Sequence, residues 1–282
     1  MDTKLNKYQL ENPRYDLLTG DILPYKSKEF YFNNLYANRR NLIAHFKTLD
    51  KNKIIEITKE ILLNRIKLKN LVYAPSTVEL KSLVMPSVLL LEHYTISYND
   101  ICKDLGLITK YNYSNTELKK VKLIDKIIID SREQQPLKFE PTIKTEVLCL
   151  KVGDYCKIQD VSNQIVVEKK SLSDLLGTIS KGFERFHREL NRAEEKNTKV
   201  LVVVDTKFSS VLSFNYLPHI HSKCSPEFIF SRIRELIQNY PNIQFIFCDG
   251  RKQASDITHF ALSYGKDLME WDLQYLMEKG LI

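Results

Sequence analysis

Residues 152–176, VGDYCKIQDVSNQIVVEKKSLSDLL, decide how this chain is read. Tyr155, Cys156 and Ile158, then Ile165, Val166 and Val167, mark two apolar strands, DYCKIQ and QIVVEKK. Asp154, Glu168, Lys169 and Lys170 load those strands with charge. A turn at Ser162-Asn163 joins them as a hairpin. Side chains alternate faces along a strand, so Glu168 and Lys170 point one way and Lys169 the other. A carboxylate and an ammonium are thereby delivered side by side at a strand end. Asp154 begins the partner strand, and Asp130 ends a third strand that runs through Ile127–Ile129. Three carboxylates and a lysine are expected to converge at one edge of a sheet.

Outward from the hairpin, the texture is short strands separated by helices. Ile127, Ile128 and Ile129 form an all-apolar run, as in a strand covered on both faces. EVLCLKV (146–152), KVLVVVD (199–205) and IQFIFCD (243–249) read as further strands. Helices are expected over 173–180, 183–196, 226–240, 254–264 and 270–279, the third capped by Ser225 with Pro226 at its first position. CDGR (248–251) reads as a turn. Alternating strands and helices predict an α/β fold, a three-layer α/β/α domain with a mixed sheet over residues 122–282.

Residues 1–121 read as a mainly helical accessory region with a possible DNA-binding role. Ile54, Ile57, Ile61 and Leu62 share one stripe of an amphipathic helix. Pro86 divides STVELKSLVMPSVLLLEH into two helices. YTISYNDICKDLGLITKYNYS (94–114) has the Leu-Gly-Leu turn of a helix-turn-helix, but its second half is poor in helix formers and basic residues. EFYFNNLYANRRNLIAHF interleaves aromatics with Arg39 and Arg40, a pattern of either nucleic-acid stacking or plain core and surface.

The chain has 282 residues, more than one modest core holds, and a net charge of +7, which tilts it toward anionic partners. Its 5 cysteines form no CxxC pair and read as reduced thiols of a soluble, intracellular, cytoplasmic protein. No apolar run is of signal-peptide or membrane-spanning length, so no membrane association is expected. No glycine-rich phosphate loop is present, so no nucleotide cofactor is expected. His219, His221 and Cys224 lack a fourth zinc ligand at suitable spacing.

Three like charges in close array are tolerated mainly when a divalent cation compensates them, and hard oxygen ligands suit Mg²⁺ or Mn²⁺. Such a centre with a lysine beside it fits phosphodiester hydrolysis. The same letters also fit a surface ion pair between Glu168 and Lys170 with Asp154 following a turn glycine, and spacing alone does not choose.

Four motifs in order, IIIDSRE, VGDY, VVEKKSLSDLLGTI and KGFERFHREL, carry a family resemblance. Over residues 126–239 the chain resembles the nuclease domain of the XPF family of structure-specific endonucleases, in the PD-(D/E)xK group with a restriction-endonuclease-like fold. The resemblance is to a compact form without helicase motors or a tandem helix-hairpin-helix module. It implies that Asp130, Asp154, Glu168 and Lys170 are catalytic, that Asp154, Glu168 and Asp130 are metal ligands, and that Arg132, Glu133, Lys169 and Asp174 support them. Lys169 stands where the family usually has arginine, and Ser173 or Asp174 would cap the following helix in any case. It further implies a Mg²⁺- or Mn²⁺-dependent DNA endonuclease for branched or junction DNA, working as a homodimer or with a related subunit. The alternative is a non-catalytic DNA-binding or scaffold subunit on the same fold. Arg185, Arg188 and Arg192 line one side of a helix opposite Phe183, Phe186 and Leu190, as a phosphate-binding row or a solvated face.

Overall fold

The computed structural model describes residues 44–282 apart from 45, 84, 114–117, 119–120, 215–216, 218–219, 221–222 and the side chain of 68. Arg39, Arg40, His219 and His221 therefore lie outside the described residues. The chain divides into two compact units, Met1–Asn112 and Tyr113–Ile282.

In the first unit, helix α1 (Lys51–Lys69) starts at Asp50, whose carboxylate accepts from Lys53 N at 3.0 Å, and stops at Asn70, which takes the left-handed conformation. The stripe Ile54, Ile57, Ile61 and Leu62 is buried, as the periodicity predicts. Pro86 separates α2 (Thr77–Ser82) from α3 (Val88–His93), and Ser76 and Ser87 cap them. A buried ion pair, Arg65 Nη2 to Glu79 Oε1 at 2.9 Å, ties α1 to α2. Helix α4 (Tyr98–Asp104) is followed by a glycine turn at Gly106, φ 72°. No second helix forms among the described residues 107–113, in keeping with a segment poor in helix formers, and Ile108 bridges to Tyr73 instead.

The second unit is built on six strands: β1 (Lys126–Asp130), β2 (Lys144–Leu148), β3 (Tyr155–Cys156), β4 (Ile165–Lys170), β5 (Lys199–Val204) and β6 (Ile243–Phe247). Their order is β2-β1-β3-β4-β5-β6, with β3 antiparallel to both neighbours and the other pairings parallel, a mixed sheet as expected. Helices α5 (Leu172–Ile179), α6 (Phe183–Glu195) and α8 (Pro226–Asn239) pack together on one face. Helices α9 (Gly250–Tyr264) and α10 (Leu273–Glu278) cover the other face, and the short α7 (Phe208–Leu212) follows β5. Valine and isoleucine dominate the apolar positions of β4 and β5, and isoleucine and phenylalanine those of β6, because both faces are covered.

Three boundaries differ from the sequence reading. The strand DYCKIQ shrinks to Tyr155–Cys156, and Ile158 is 59% exposed, because the chain leaves the ladder for a loop turning at Asn163, φ 56°. The strand in 146–152 shifts to Lys144–Leu148, since Leu150 and Val152 are buried outside the sheet. CDGR leads straight into α9.

Candidate active site

The register of the antiparallel pairs assembles the acids. Ile129 faces Tyr155 and Tyr155 faces Val167. One position further, Asp130 N donates to Asp154 O and Asp154 N to Val167 O, both at 2.8 Å. Asp130, Asp154 and Glu168 thus stand in one row across β1, β3 and β4. Gly153, φ 73°, makes the turn that brings Asp154 into this row; a Cβ there would lie 3.0 Å from the Val166 side chain.

Hydrogen bonding then sorts the three acids. Asp130 is buried, and both its oxygens accept from protein donors, Oδ2 from Arg132 Nε at 2.7 Å and Oδ1 from Leu150 N at 3.0 Å. Arg132 Nη2 also donates to Leu150 O at 2.7 Å, closing a knot that pins the loop after β2 to the end of β1. The hydrogen bond to Asp130 raises the Arg132 pKa further.

Asp154 and Glu168 hold the remaining charge. Lys169 N donates to Asp154 Oδ2 at 2.8 Å, and Lys170 Nζ pairs with Glu168 Oε1. Burial pushes the Asp154 carboxyl up to about 6, against Lys170 and the Lys169 N–H, with help from Glu133 and Glu189. Burial and then the negative charge of Asp154 push Glu168 up to about 8, with Glu189 adding and Lys170 opposing. Burial pulls the Lys170 ammonium down, yet Glu168, Asp154 and Glu189 together raise it. Both groups thus shift upward, which favours a charged lysine and a neutral acid. We take Lys170 as charged, because three carboxylates surround it, and Glu168 as the group that burial and crowding keep poised to release its proton.

The other expected residues divide. Glu133 is half-buried in the turn after β1, where Gln135 N donates to its Oε1 at 2.7 Å, and its charge reaches Asp154. Lys169 points to the opposite face, as strand alternation predicts, and meets Asp205 at 4.0 Å. Asp174 is exposed in the first turn of α5; Ser171, rather than Ser173 or Asp174, is the cap and also donates to Asp174 Oδ2 at 2.6 Å. Arg185, Arg188 and Arg192 are exposed on the outer side of α6, opposite buried Phe183, Phe186 and Leu190, and form no ion pair among the described residues. Cys224 is half-buried.

Sequence reasoning missed Glu189. It projects from α6 toward the acids, with Oε1 3.5 Å from Gly153 N, and its charge acts on Asp154, Glu168 and Lys170. The signal was present: Glu189 adjoins Leu190 and lies three residues from Phe186, at the border of the buried stripe.

No three carboxylate, thiol or imidazole groups among the described residues stand together as a ready-made metal cage. The donor set nevertheless suits a hard divalent cation, since Asp154 and Glu168 offer only oxygen and their mutual repulsion would be relieved by it.

The sheet order and the helices on both faces define an α/β domain around a mixed six-stranded sheet. Residues 129–260 match the family model of the ERCC4 domain. Among solved structures, the chain is similar to XPF from Aeropyrum pernix in complex with DNA, at 20% identity over 48% of this chain and 62% of that one, with a TM-score of 0.35. It is also similar to XPF from Aeropyrum pernix without DNA, at 20% identity over 48% and 58%, with a TM-score of 0.36. The chain thus spans about three-fifths of the length of those two. No curated protein matches the sequence. No helix among the described residues is long and apolar enough to cross a membrane.

Proposed function

We propose that this protein is a divalent-metal-dependent DNA endonuclease that acts inside the cell on branched or junction DNA. The observation that carries the reading is the pair Asp154 and Glu168, a half-buried carboxylate at the start of β3 and a buried one on β4, set side by side with Lys170 against Glu168. A protein maintains such repulsion where a ligand relieves it. Asp154 and Glu168 would hold Mg²⁺ or Mn²⁺, and the bound cation supplies Lewis acidity toward a phosphodiester.

The chain's own residues do the rest. Lys170 keeps its proton and places a positive charge where negative charge develops on the phosphoryl group. The knot between Asp130, Arg132 and Leu150 fixes the end of β1, and Asp130 is a ligand only through lone pairs that Arg132 and Leu150 leave free. Arg185, Arg188 and Arg192 bind the phosphate backbone beside the site. Two copies, or one copy and a related subunit, engage the two arms of a junction.

Fluorescent flap, fork, four-way and linear duplexes incubated with Mg²⁺, Mn²⁺ or EDTA test this. Cleavage of a branched substrate only with metal, lost in Asp154→Ala, is expected. Absence of metal-dependent cutting on every substrate, or cutting by Asp154→Ala at the parental rate, overturns it.

A further inference from the structure

The face of β4 opposite Glu168 carries a second charged group. Lys169 is buried there, its side chain 4% exposed, and among the described residues its only carboxylate within salt-bridge distance is that of Asp205, itself 10% exposed, at 4.0 Å. Asp205 stands one residue past β5, and its N–H donates to Lys170 O at 3.0 Å. It therefore meets the end of β4 twice, through the main chain and through its carboxylate. From the first turn of α9, Arg251 Nη1 approaches the same Asp205 oxygen at 3.9 Å. Its Nη2 donates to Gln135 O at 2.9 Å and Pro136 O at 2.8 Å, in the loop that carries Glu133.

We propose that Asp205 is a positioning residue: a brace of Lys169, Asp205 and Arg251 behind the sheet fixes the end of β4 and the loop after β1, and thereby the placement of Asp154 in front. Lys169 is the link. Its side chain is anchored at the back while its N–H holds Asp154 Oδ2 at the front. Removing the Asp205 charge strands a buried ammonium, and Lys169 must shift toward water and carry its N–H with it. At 4.0 and 3.9 Å neither cation is hydrogen-bonded to Asp205. A glutamate at 205, one methylene longer, closes that gap and keeps the brace.

The idea rests on the reading of Asp154 as a functional acid, so its test includes a readout that needs no cleavage. Amide exchange at Lys169, Mn²⁺ affinity by calorimetry and single-turnover cutting are measured for the parent, Asp205→Asn, Asp205→Glu and Arg251→Gln, the last a half-exposed position that keeps the fold safe. Asp205→Asn is expected to speed Lys169 exchange by at least about tenfold, to weaken Mn²⁺ binding, and to slow cutting by about 10- to 100-fold with DNA affinity unchanged. Asp205→Glu restores all three, and Arg251→Gln shifts them in the same direction as Asp205→Asn by less. If the parent cuts no DNA, the nuclease reading fails, while exchange and Mn²⁺ affinity still decide the brace. Parental Lys169 exchange and Mn²⁺ affinity in both Asp205→Asn and Arg251→Gln overturn it.

Discussion

Replacing Glu168 by glutamine removes a buried acid with almost no change in shape, and the effect should depend on pH in a defined sense. Burial and Asp154 raise the folded Glu168 from 4.5 to about 8, so between those values the folded chain holds a proton that the unfolded chain has released. Stability from this group is complete below the unfolded pKa and is lost as pH rises through the folded one. Each pH unit inside the window costs about 1.4 kcal/mol. From pH 5 to pH 8 the metal-free protein loses about 3 kcal/mol through Glu168, after allowing for the rounded ends of the titration. In a unit of this size that is about 6 to 12 °C of melting temperature. Thermal melts in EDTA at pH 5, 6.5 and 8, followed by circular dichroism, read it out. The parent should lose stability toward pH 8 relative to Glu168→Gln, and titrating groups remote from Glu168 cancel in the comparison. Millimolar Mn²⁺ at pH 8 should recover the loss in the parent and not in the variant. Parallel profiles for the two proteins, or a parent that gains on the variant toward pH 8, would refute the reasoning.

Three further outcomes follow from the same geometry. Glu189→Gln should weaken Mn²⁺ binding without altering the fold, measured by calorimetry, since a negative charge facing Asp154 and Glu168 is removed. Changing Arg185, Arg188 and Arg192 together to glutamine should lower the slope of log affinity against log salt by about 2 to 3 on duplex DNA, in fluorescence-anisotropy titrations at several salt concentrations. Glu79→Ala should destabilise the first unit by about 3 to 5 kcal/mol in urea unfolding, because Arg65 is left buried without its partner.

Most of the architecture was legible because the period and the punctuation agreed. The isoleucines of β1, the valines of β5 and the Ser225-Pro226 start of α8 state their element types locally, and strand alternation alone placed Glu168 and Lys170 opposite Lys169. What stayed hidden depends on partners distant in sequence. Asp130 reads the same as Asp154 in the letters, but its oxygens are taken by Arg132 and by the Leu150 amide, 20 residues away. Glu189 and Asp205 come from a helix and a strand end whose approach to β4 only the sheet order determines. The brevity of β3 was also illegible: Ile158 is as apolar as Cys156, and the exit from the ladder follows from the turn at Asn163.

Gly153 has a bearing on how related sequences are read. Its backbone is in the left-handed region, and a side chain would press on Val166 at 3.0 Å and on the Val167 carbonyl at 3.2 Å, the contacts that seat Asp154 beside Glu168. A diverged copy that kept every acid and lysine but exchanged this one residue would look intact letter by letter, while its two carboxylates no longer met. The smallest residue of the motif is therefore as much a condition for the paired carboxylates as either acid.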